Sequence, residues 1–249
     1  MQQTLSQSQL DAALTSRELR GTVLLAALDW PDAIDALRAT DCRFVGIDFR
    51  GRSLNGARFD ACTFVDCSFR SASLAECAFQ RCHLYEAETD TACDFSFATL
   101  TNARFTGCDL TTVVCRRTHA FGIELERCQA AGIDFSGSDF RLGTTAAVAA
   151  TFTDCNLAYA DFTQTFLPGA SFAGSRLSHS IWHDADLAAA DLSRCQLDNI
   201  ESRRLNLRGA DLRGAAFNQL DPRQIDLTGV RMFADQGLVV LKSLGIEID

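Results

Sequence analysis

Large apolar residues recur at every fifth position along most of this chain. The series starts at Phe44 and continues without exception to Leu84. It resumes in a shifted phase at Phe95, weakens at Cys115, and runs again from Phe152 to the end of the pattern near residue 231. The residue two places before each large one is small or β-branched, and the remaining three positions are mostly polar. A period of five fits neither a helix nor a flat strand and predicts a solenoid whose neighbouring coils complete one another's core.

Two polar segments interrupt the period. We name residues 85–92 loop 1 and residues 141–150 loop 2. Loops on a rigid scaffold often carry recognition, so both are candidate binding segments, although a tolerated insertion is the alternative. The candidate contact residues in the loops are Tyr85, Glu86, Glu88, Asp90, Leu142, Thr144 and Thr145.

The terminal segments lie outside the period and divide the chain into residues 1–41, 42–231 and 232–249. Apolar residues in the first segment suggest short helices that cap the first coil, with Pro31 at a helix N1 position. In the last segment residues 233–244 predict a helix, with Gly245 just past its end. That helix is either a cap alone or a cap that also forms a dimer interface. The interface residues would be Leu238, Val239, Leu241, Leu244 and Ile246.

Composition narrows the function classes. The 249 residues include 32 acidic and 23 basic side chains, which give a formal net charge of −9 and argue against direct nucleic-acid binding. No apolar run approaches the ~20 residues that a bilayer requires, and the first residues do not resemble a signal peptide. We therefore expect a cytoplasmic protein that does not enter a membrane.

The 11 cysteines include no CxxC pair and follow the five-residue period. Ten of them occupy the small position, which favours buried thiols in a reducing compartment over a metal or disulfide framework. The four histidines lie at outward positions without partners at ligand spacing. No nucleotide-binding or nucleophile motif appears, so we expect no enzyme activity, no metal and no cofactor.

The repeat resembles the A(D/N)LXX motif of the pentapeptide-repeat family. Residues 190–194 (ADLSR) and 210–214 (ADLRG) match it directly. The resemblance implies an all-β fold, a right-handed quadrilateral β-helix with short N-terminal helices and a C-terminal capping or dimerisation helix. Four pentapeptides would form each coil, so about 20 residues advance the axis by about 4.8 Å.

A narrower resemblance covers residues 42 to the end. Residues 82–86 (CHLYE), 93–96 (CDFS), 128–135 (CQAAGIDF) and 220–223 (LDPR) are similar to the Qnr quinolone-resistance proteins. The resemblance implies a DNA-mimicking homodimer, joined through its C-terminus, that binds DNA gyrase, with topoisomerase IV as a second candidate, and protects against fluoroquinolones. Two departures stand out. The first 40 residues have no counterpart, and loop 2 is shorter and lacks an aromatic residue.

Acidic residues also recur every 20 positions, which stacks them in columns on successive coils. Such columns form a candidate acidic face that imitates the charge of duplex DNA, and a solvated surface is the alternative. The columns are Asp191 with Asp211, then Asp161, Glu201 and Asp221, and finally Asp186 with Asp226. A second hypothesis for the whole chain is a pentapeptide-repeat scaffold whose partner is not a topoisomerase.

Overall fold

The computed structural model describes residues 3–247 and confirms a β-helix built from short parallel strands. Met1, Gln2, Ile248 and Asp249 of the terminal segments lie outside the described residues. The elements are β1 Gln3–Thr4, α1 Gln7–Ser16, β2 Glu18–Arg20, β3 Thr22–Leu25, β4 Arg38–Thr40, β5 Arg43–Val45, β6 Arg58–Asp60, β7 Thr63–Val65, β8 Ala78–Gln80, β9 Tyr85–Glu86, β10 Thr91–Ala92, β11 Arg104–Thr106, β12 Ile123–Glu126, β13 Ala150–Thr153 and α2 Ala234–Ser243.

The strands stack in register along the rod. A seven-stranded sheet has the order β13-β12-β11-β8-β6-β4-β2, and a four-stranded sheet has the order β1-β3-β5-β7. All pairs in these two sheets are parallel, and equivalent residues such as Phe59, Phe79 and Phe105 lie directly above one another. Isolated parallel bridges carry the same register as far as Asp211 and Arg231. The five-residue period therefore places equivalent side chains in continuous columns.

The columns of large residues fill the interior. Phe44 stacks on Phe64 with ring centroids 4.7 Å apart, and Phe79 stacks on Phe105 at 4.8 Å. These distances equal the spacing between neighbouring strands, about 4.8 Å, so each coil adds one ring to a continuous stack. The predicted inward positions are confirmed, because these rings are at most 4% exposed.

The cysteines belong to the same packed interior, as predicted. All 11 are free and buried. Six form one column on successive coils, and a buried thiol such as Cys108 donates to the Phe79 carbonyl at 3.3 Å. Burial raises the pKa of Cys67 and of Cys77 to about 12, which keeps both thiols protonated at neutral pH. The column consists of Cys42, Cys62, Cys82, Cys108, Cys128 and Cys155.

The N-terminal segment differs from the predicted set of short helices. It contains one helix, α1, and its remainder winds into the rod, because β2 pairs with β4 and β3 pairs with β5. Pro31 lies in an irregular segment and not at a helix start. Leu19, Leu24 and Ile34 occupy inward positions of these early coils and are buried. The parallel strand stack therefore begins before residue 42, with β1 already paired to β3.

Helix α2 closes the other end of the rod. The buried Gln236 amide donates to the carbonyls of Leu212 and Ala215 at 2.7 and 2.6 Å, which satisfies backbone groups that no further coil covers. Its oxygen accepts from the Phe233 backbone N–H at 2.8 Å and anchors the helix start. The Ser243 hydroxyl lies 2.8 Å from the Leu220 carbonyl and fixes the other end of the helix.

Candidate functional site

Four columns of outward residues define four faces of the rod. Each column occupies the position just before the large inward residue of one pentapeptide. Face A carries Asp48, Ser68, Asp94, Val114, Asp134, Asp161, Ile181 and Glu201. Face B carries Ser53, Ser73, Thr99, His119, Asp139, Phe166, Asp186, Asn206 and Asp226. Face C carries Arg38, Arg58, Ala78, Arg104, Glu124, Thr151, Ser171, Asp191 and Asp211, and face D carries Arg43, Thr63, His83, Asp109, Gln129, Asn156, Arg176 and Gln196.

Loop 1 is a short antiparallel hairpin formed by β9 and β10. The Tyr85 hydroxyl donates to Asp90 at 3.0 Å, and this hydrogen bond is the main reason why the pKa of Tyr85 is raised. Glu86 forms an ion pair with Arg43 at 3.1 Å and is 20% exposed in its side chain. Of the three predicted acidic contacts, Glu88 therefore remains the one without a partner inside the described chain.

Loop 2 is closed by an antiparallel bridge between Arg141 and Val148. The Leu142 backbone N–H donates to the Ala147 carbonyl at 2.9 Å, and the Thr145 hydroxyl donates to the Leu142 carbonyl at 2.7 Å. These bonds fold the loop on itself and leave Leu142 50% exposed. The loop therefore presents an apolar side chain, with the exposed Thr144 beside it.

The two loops leave the rod at opposite corners. Loop 1 follows His83 on face D and precedes Asp94 on face A. Loop 2 follows Asp139 on face B and precedes Thr151 on face C. Between them the chain completes about two and a half coils, which is roughly 12 Å along the axis. One flat surface cannot contact both loops, so a partner that uses both must reach around the rod.

The proposed acidic columns also lie on different faces. Asp161 and Glu201 belong to face A with Ile181 between them, Asp186 and Asp226 belong to face B with Asn206 between them, and Asp191 pairs directly with Asp211 on face C. The candidate acidic face is therefore three separate columns. The spacing of 20 predicts separate columns, and the structure adds that each lies on a different side of the rod.

Several of these carboxylates are neutralised by neighbouring side chains. Asp211 contacts Arg213 at 2.7 Å and Arg231 at 3.2 Å, and Asp221 contacts Arg223 at 2.8 Å. Hydrogen bonding to Arg213 is the main cause that lowers the pKa of Asp211 to about 2. The carboxylates of the predicted set that make no ion pair within the described chain are Asp161, Asp186, Asp191 and Asp226.

Face A carries a longer acidic column than the spacing of 20 revealed. Asp48, Asp94 and Asp134 precede Asp161 in the same register, because the loops shift the sequence number without breaking the stack. Arginines at 50, 70 and 116 form ion pairs with the first three. If the residues inserted by each loop are left out of the count, the sequence alone predicts this column.

His183 lies 3.2 Å from Glu201, a carboxylate one coil away that the local sequence did not indicate. Among the described side chains no group of three or more His, Cys, Asp or Glu is arranged to hold a metal ion. Within residues 3–247 no helix is long and apolar enough to cross a bilayer.

The outer side of α2 is apolar. Leu238, Leu241, Leu244 and Ile246 are between 39% and 45% exposed, while Val239 packs partly against the core. Four of the five residues predicted for the dimer interface are thus available on the surface. Phe233, at the start of the helix, is 54% exposed and extends the same apolar region.

Comparison with protein families identifies the repeat. The family model for pentapeptide repeats matches eight copies over residues 42–81, 91–118, 150–181, 169–201 and 206–232, which is more than half of the chain. Two curated proteins are similar over shorter stretches. The Escherichia coli pentapeptide repeat protein QnrB4 is 38% identical over 89 residues, which is 34% of this chain and 41% of that protein.

The second curated relative is the quinolone resistance pentapeptide repeat protein QnrB96 of Scandinavium goeteborgense. It is 34% identical over 134 residues, which is 53% of each protein. The chain therefore spans about half the length of the curated relatives it matches. Among solved structures, trypsin-treated QnrB1, a plasmid-mediated fluoroquinolone resistance protein, is 30% identical with a TM-score of 0.77 over 85% of this chain and 100% of that one. Full-length QnrB1 is 32% identical with a TM-score of 0.74.

Proposed function

This chain belongs to the pentapeptide-repeat family, and we propose that it is a non-enzymatic DNA mimic that binds type II topoisomerases and protects them from fluoroquinolones or related poisons. DNA gyrase is the first candidate partner and topoisomerase IV the second. The observation that supports the proposal best is the likeness to the QnrB1 resistance protein, which extends over 85% of this chain. Gyrase acts in the bacterial cytoplasm, so the proposal places this protein there.

The distribution of charge on the rod resembles that of a charged cylinder more than that of a flat charged surface. The carboxylates of this set without ion pairs occupy faces A, B and C, so unpaired negative charge lies on three sides of the C-terminal part of the rod. Duplex DNA likewise carries its charge around a cylinder, although at one charge per ~1.7 Å of axis it is far denser. A basic groove that encloses DNA would therefore meet carboxylates on more than one side of this rod.

The loops fit a partner that encloses the rod. Because loop 1 and loop 2 leave opposite corners, we assign them to two different walls of the groove. Loop 1 contributes charge through Glu88, and loop 2 contributes shape and apolar contact through Leu142. Tyr85, Glu86 and Asp90 stabilise the hairpin of loop 1 through a hydrogen bond and an ion pair. In loop 2 the Thr145 hydroxyl stabilises the turn, and the exposed Thr144 lies beside Leu142.

A homodimer joined through α2 completes the proposal. The exposed leucines on the outer side of the helix form an apolar patch at the end of the rod, where capping has already used Gln236 and Val239. Two rods that meet there would bury both patches by self-association about a two-fold axis. The partner would then contact a rod of twice the length.

A supercoiling assay with purified DNA gyrase tests the proposed function. This protein is titrated into reactions with and without ciprofloxacin, and we expect the drug-inhibited enzyme to recover supercoiling as the protein is added. The matched control is the same titration without drug, which separates protection from direct inhibition. If the protein changes neither reaction while it binds no gyrase, the hypothesis of a scaffold with another partner replaces this one.

A further inference from the structure

Two aromatic side chains stack on the surface of the rod, at the corner between faces D and A. Tyr159 and His179 occupy this corner on neighbouring coils, and their rings are 4.9 Å apart and nearly parallel, with an angle of 7° between the planes. Tyr159 is 60% exposed, which makes it the most exposed large apolar side chain among the described residues. Neither residue has a role in the function as proposed above.

The turn at this corner does not require an aromatic residue. Tyr159 and His179 both have a left-handed backbone with a φ of 62°, which bulky side chains seldom adopt. In other coils the same corner carries Gly46, Asp66 and Asn199, which accept this conformation more readily. An aromatic pair that neither fills the core nor favours the turn indicates a contact with a partner.

One face of the Tyr159 ring is open and lies beside a free carboxylate. The preceding coil carries Gly132 at this corner, and a Cβ added there would come within 4 Å of Thr112 alone, so the coil offers no side chain to the tyrosine. Asp161, two residues after Tyr159, accepts from the Thr163 backbone N–H at 2.8 Å and makes no ion pair within the described chain. An open aromatic face next to an unpaired carboxylate suits a planar cation, the guanidinium of an arginine.

The rod already contains this arrangement once, at the corner between faces A and B. There the Arg70 guanidinium lies over the Phe97 ring, 5.4 Å from its centroid, and donates to Asp94 at 2.9 Å. Phe97 also has a left-handed backbone and is 45% exposed. The chain itself supplies the arginine for Phe97, whereas none of the described residues places a cation over Tyr159.

We propose that an arginine of the bound topoisomerase stacks on Tyr159 and pairs with Asp161, while His179 supports the tyrosine ring from its other side. This inference rests on the proposed function and adds a contact to it. Loop 1 leaves the same corner three coils away, at roughly 14 Å, so one basic wall of the groove reaches both. The stacked and paired guanidinium fixes the position of the partner, which a column of carboxylates alone does not do.

Binding of purified DNA gyrase to variants of this protein tests the stacking contact, and thermal melting verifies that each variant is folded. Tyr159→Leu keeps an apolar side chain but removes the aromatic face, and it should weaken binding about tenfold. Tyr159→Trp should bind at least as tightly as the wild type, because tryptophan offers the best face to a cation. Phe97→Leu is the matched control and should bind as the wild type does, because Arg70 already covers that ring.

A double-mutant cycle tests whether Tyr159 and Asp161 hold the same arginine. Asp161→Asn alone should weaken binding about fivefold, and the double variant should lose less than the product of the two single factors. The factors of Tyr159→Leu and Glu88→Gln should multiply, because these residues lie three coils apart. If the wild type binds gyrase and either both single variants bind equally well or the factors for Tyr159 and Asp161 multiply, this inference alone is overturned. A wild-type protein that does not bind gyrase overturns it together with the proposed function.

Discussion

The regular coils and the two loops of this rod are built on different physical rules. In a coil each inward residue contacts its equivalents one coil above and below, as Phe79 does with Phe59 at 4.9 Å and Phe105 at 4.8 Å. In a loop most contacts are local, such as Tyr85 with Asp90 or Leu142 with Ala147, and the pair of Glu86 with Arg43 is the contact that reaches an earlier coil. A change in a coil therefore spreads along the stack, whereas most changes in a loop affect the loop alone.

This difference separates stability from recognition. The coils supply the buried apolar surface that holds the rod together. The loops add exposed groups at two opposite corners, and the register resumes after each of them. Substitutions that alter folding should therefore concentrate in the inward columns, and substitutions that alter partner binding should concentrate in the loops.

The largest effect is expected for a charge in the core. Phe79→Asp removes one ring and its two stacking contacts, with Phe59 and Phe105. A Phe→Ala change alone costs about 3–5 kcal/mol, and the aspartate also buries a carboxylate without a partner. We expect a loss of more than about 5 kcal/mol, enough to unfold a typical domain. Urea denaturation followed by circular dichroism measures this. Gln80→Asp is the matched control in the same strand, because residue 80 is exposed. A variant at 79 that unfolds cooperatively near the wild-type midpoint would contradict the inward assignment.

The second largest effect is expected for α2. One side of this helix packs against the end of the rod, as a coil would, and the other side is exposed, as the loops are. The double change Leu241→Asp and Leu244→Asp places charge on the exposed side, so we expect the dimer to dissociate while the fold persists. Light scattering gives the mass, and thermal melting verifies the fold. Lys242→Gln, in the same helix turn, should remain dimeric. A wild-type protein that is monomeric at micromolar concentration would remove the basis of this prediction.

The sequence predicts the coils only where large apolar residues recur at every fifth position, and for this reason it misses the first coils. Inward residues from Phe44 onward are large at every fifth position, so the pattern is visible without structure. Counting back by fives from Phe44 gives Ala39, Ile34, Asp29, Leu24 and Leu19, and two of these are not large apolar residues. Leu37 and Trp30 supply the missing volume from neighbouring positions, and both are buried. The core tolerates this exchange, but it hides the period.

The loops show what a period cannot reveal. Their positions follow from the shifts in phase, and the structure places them where the sequence does. Their side-chain partners do not follow, because the ion pair of Glu86 with Arg43 joins residues two coils apart through side-chain conformation alone. Whether a carboxylate is free to meet a partner therefore required the structure.

The third prediction removes each loop. Tyr85 pairs with Ala92 across the hairpin, so deleting residues 86–91 joins neighbouring positions and restores the spacing of five between Leu84 and Phe95. Deleting residues 142–148 does the same between Phe140 and Phe152. We expect each deletion to change the free energy of unfolding by less than about 1 kcal/mol and to weaken gyrase protection several-fold.

Point variants sharpen the comparison between the loops. Glu88→Gln should weaken protection mainly at low salt, because an exposed charge acts through a screened field. Leu142→Ser should weaken it equally at low and high salt, because its contact is apolar. Supercoiling assays at two salt concentrations measure both. If both deletions fold normally and protect gyrase as well as the wild type does, the loops are passive and the partner binds the regular faces.

The smallest effect concerns polar residues of the coils, which stabilise the rod by far less than its core. The pKa of Asp211 is lowered from 3.8 to about 2, chiefly by its hydrogen bond with Arg213. A lowered pKa in the folded state means that the carboxylate stabilises the fold above pH ~4, and that this contribution is lost as the pH falls toward 2. Asp211→Asn should therefore lower the Tm by about 2–4 °C at pH 6, and the gap should close by pH 2. Asp191→Asn is the matched control, because it stacks on Asp211 without an ion pair of its own and its removal relieves repulsion between like charges. Its Tm at pH 6 should equal or exceed that of the wild type. An equal loss for both variants would mean that the column is held by backbone contacts to the carboxylates, such as those from Ser193 and Arg213, and not by the arginine pairs.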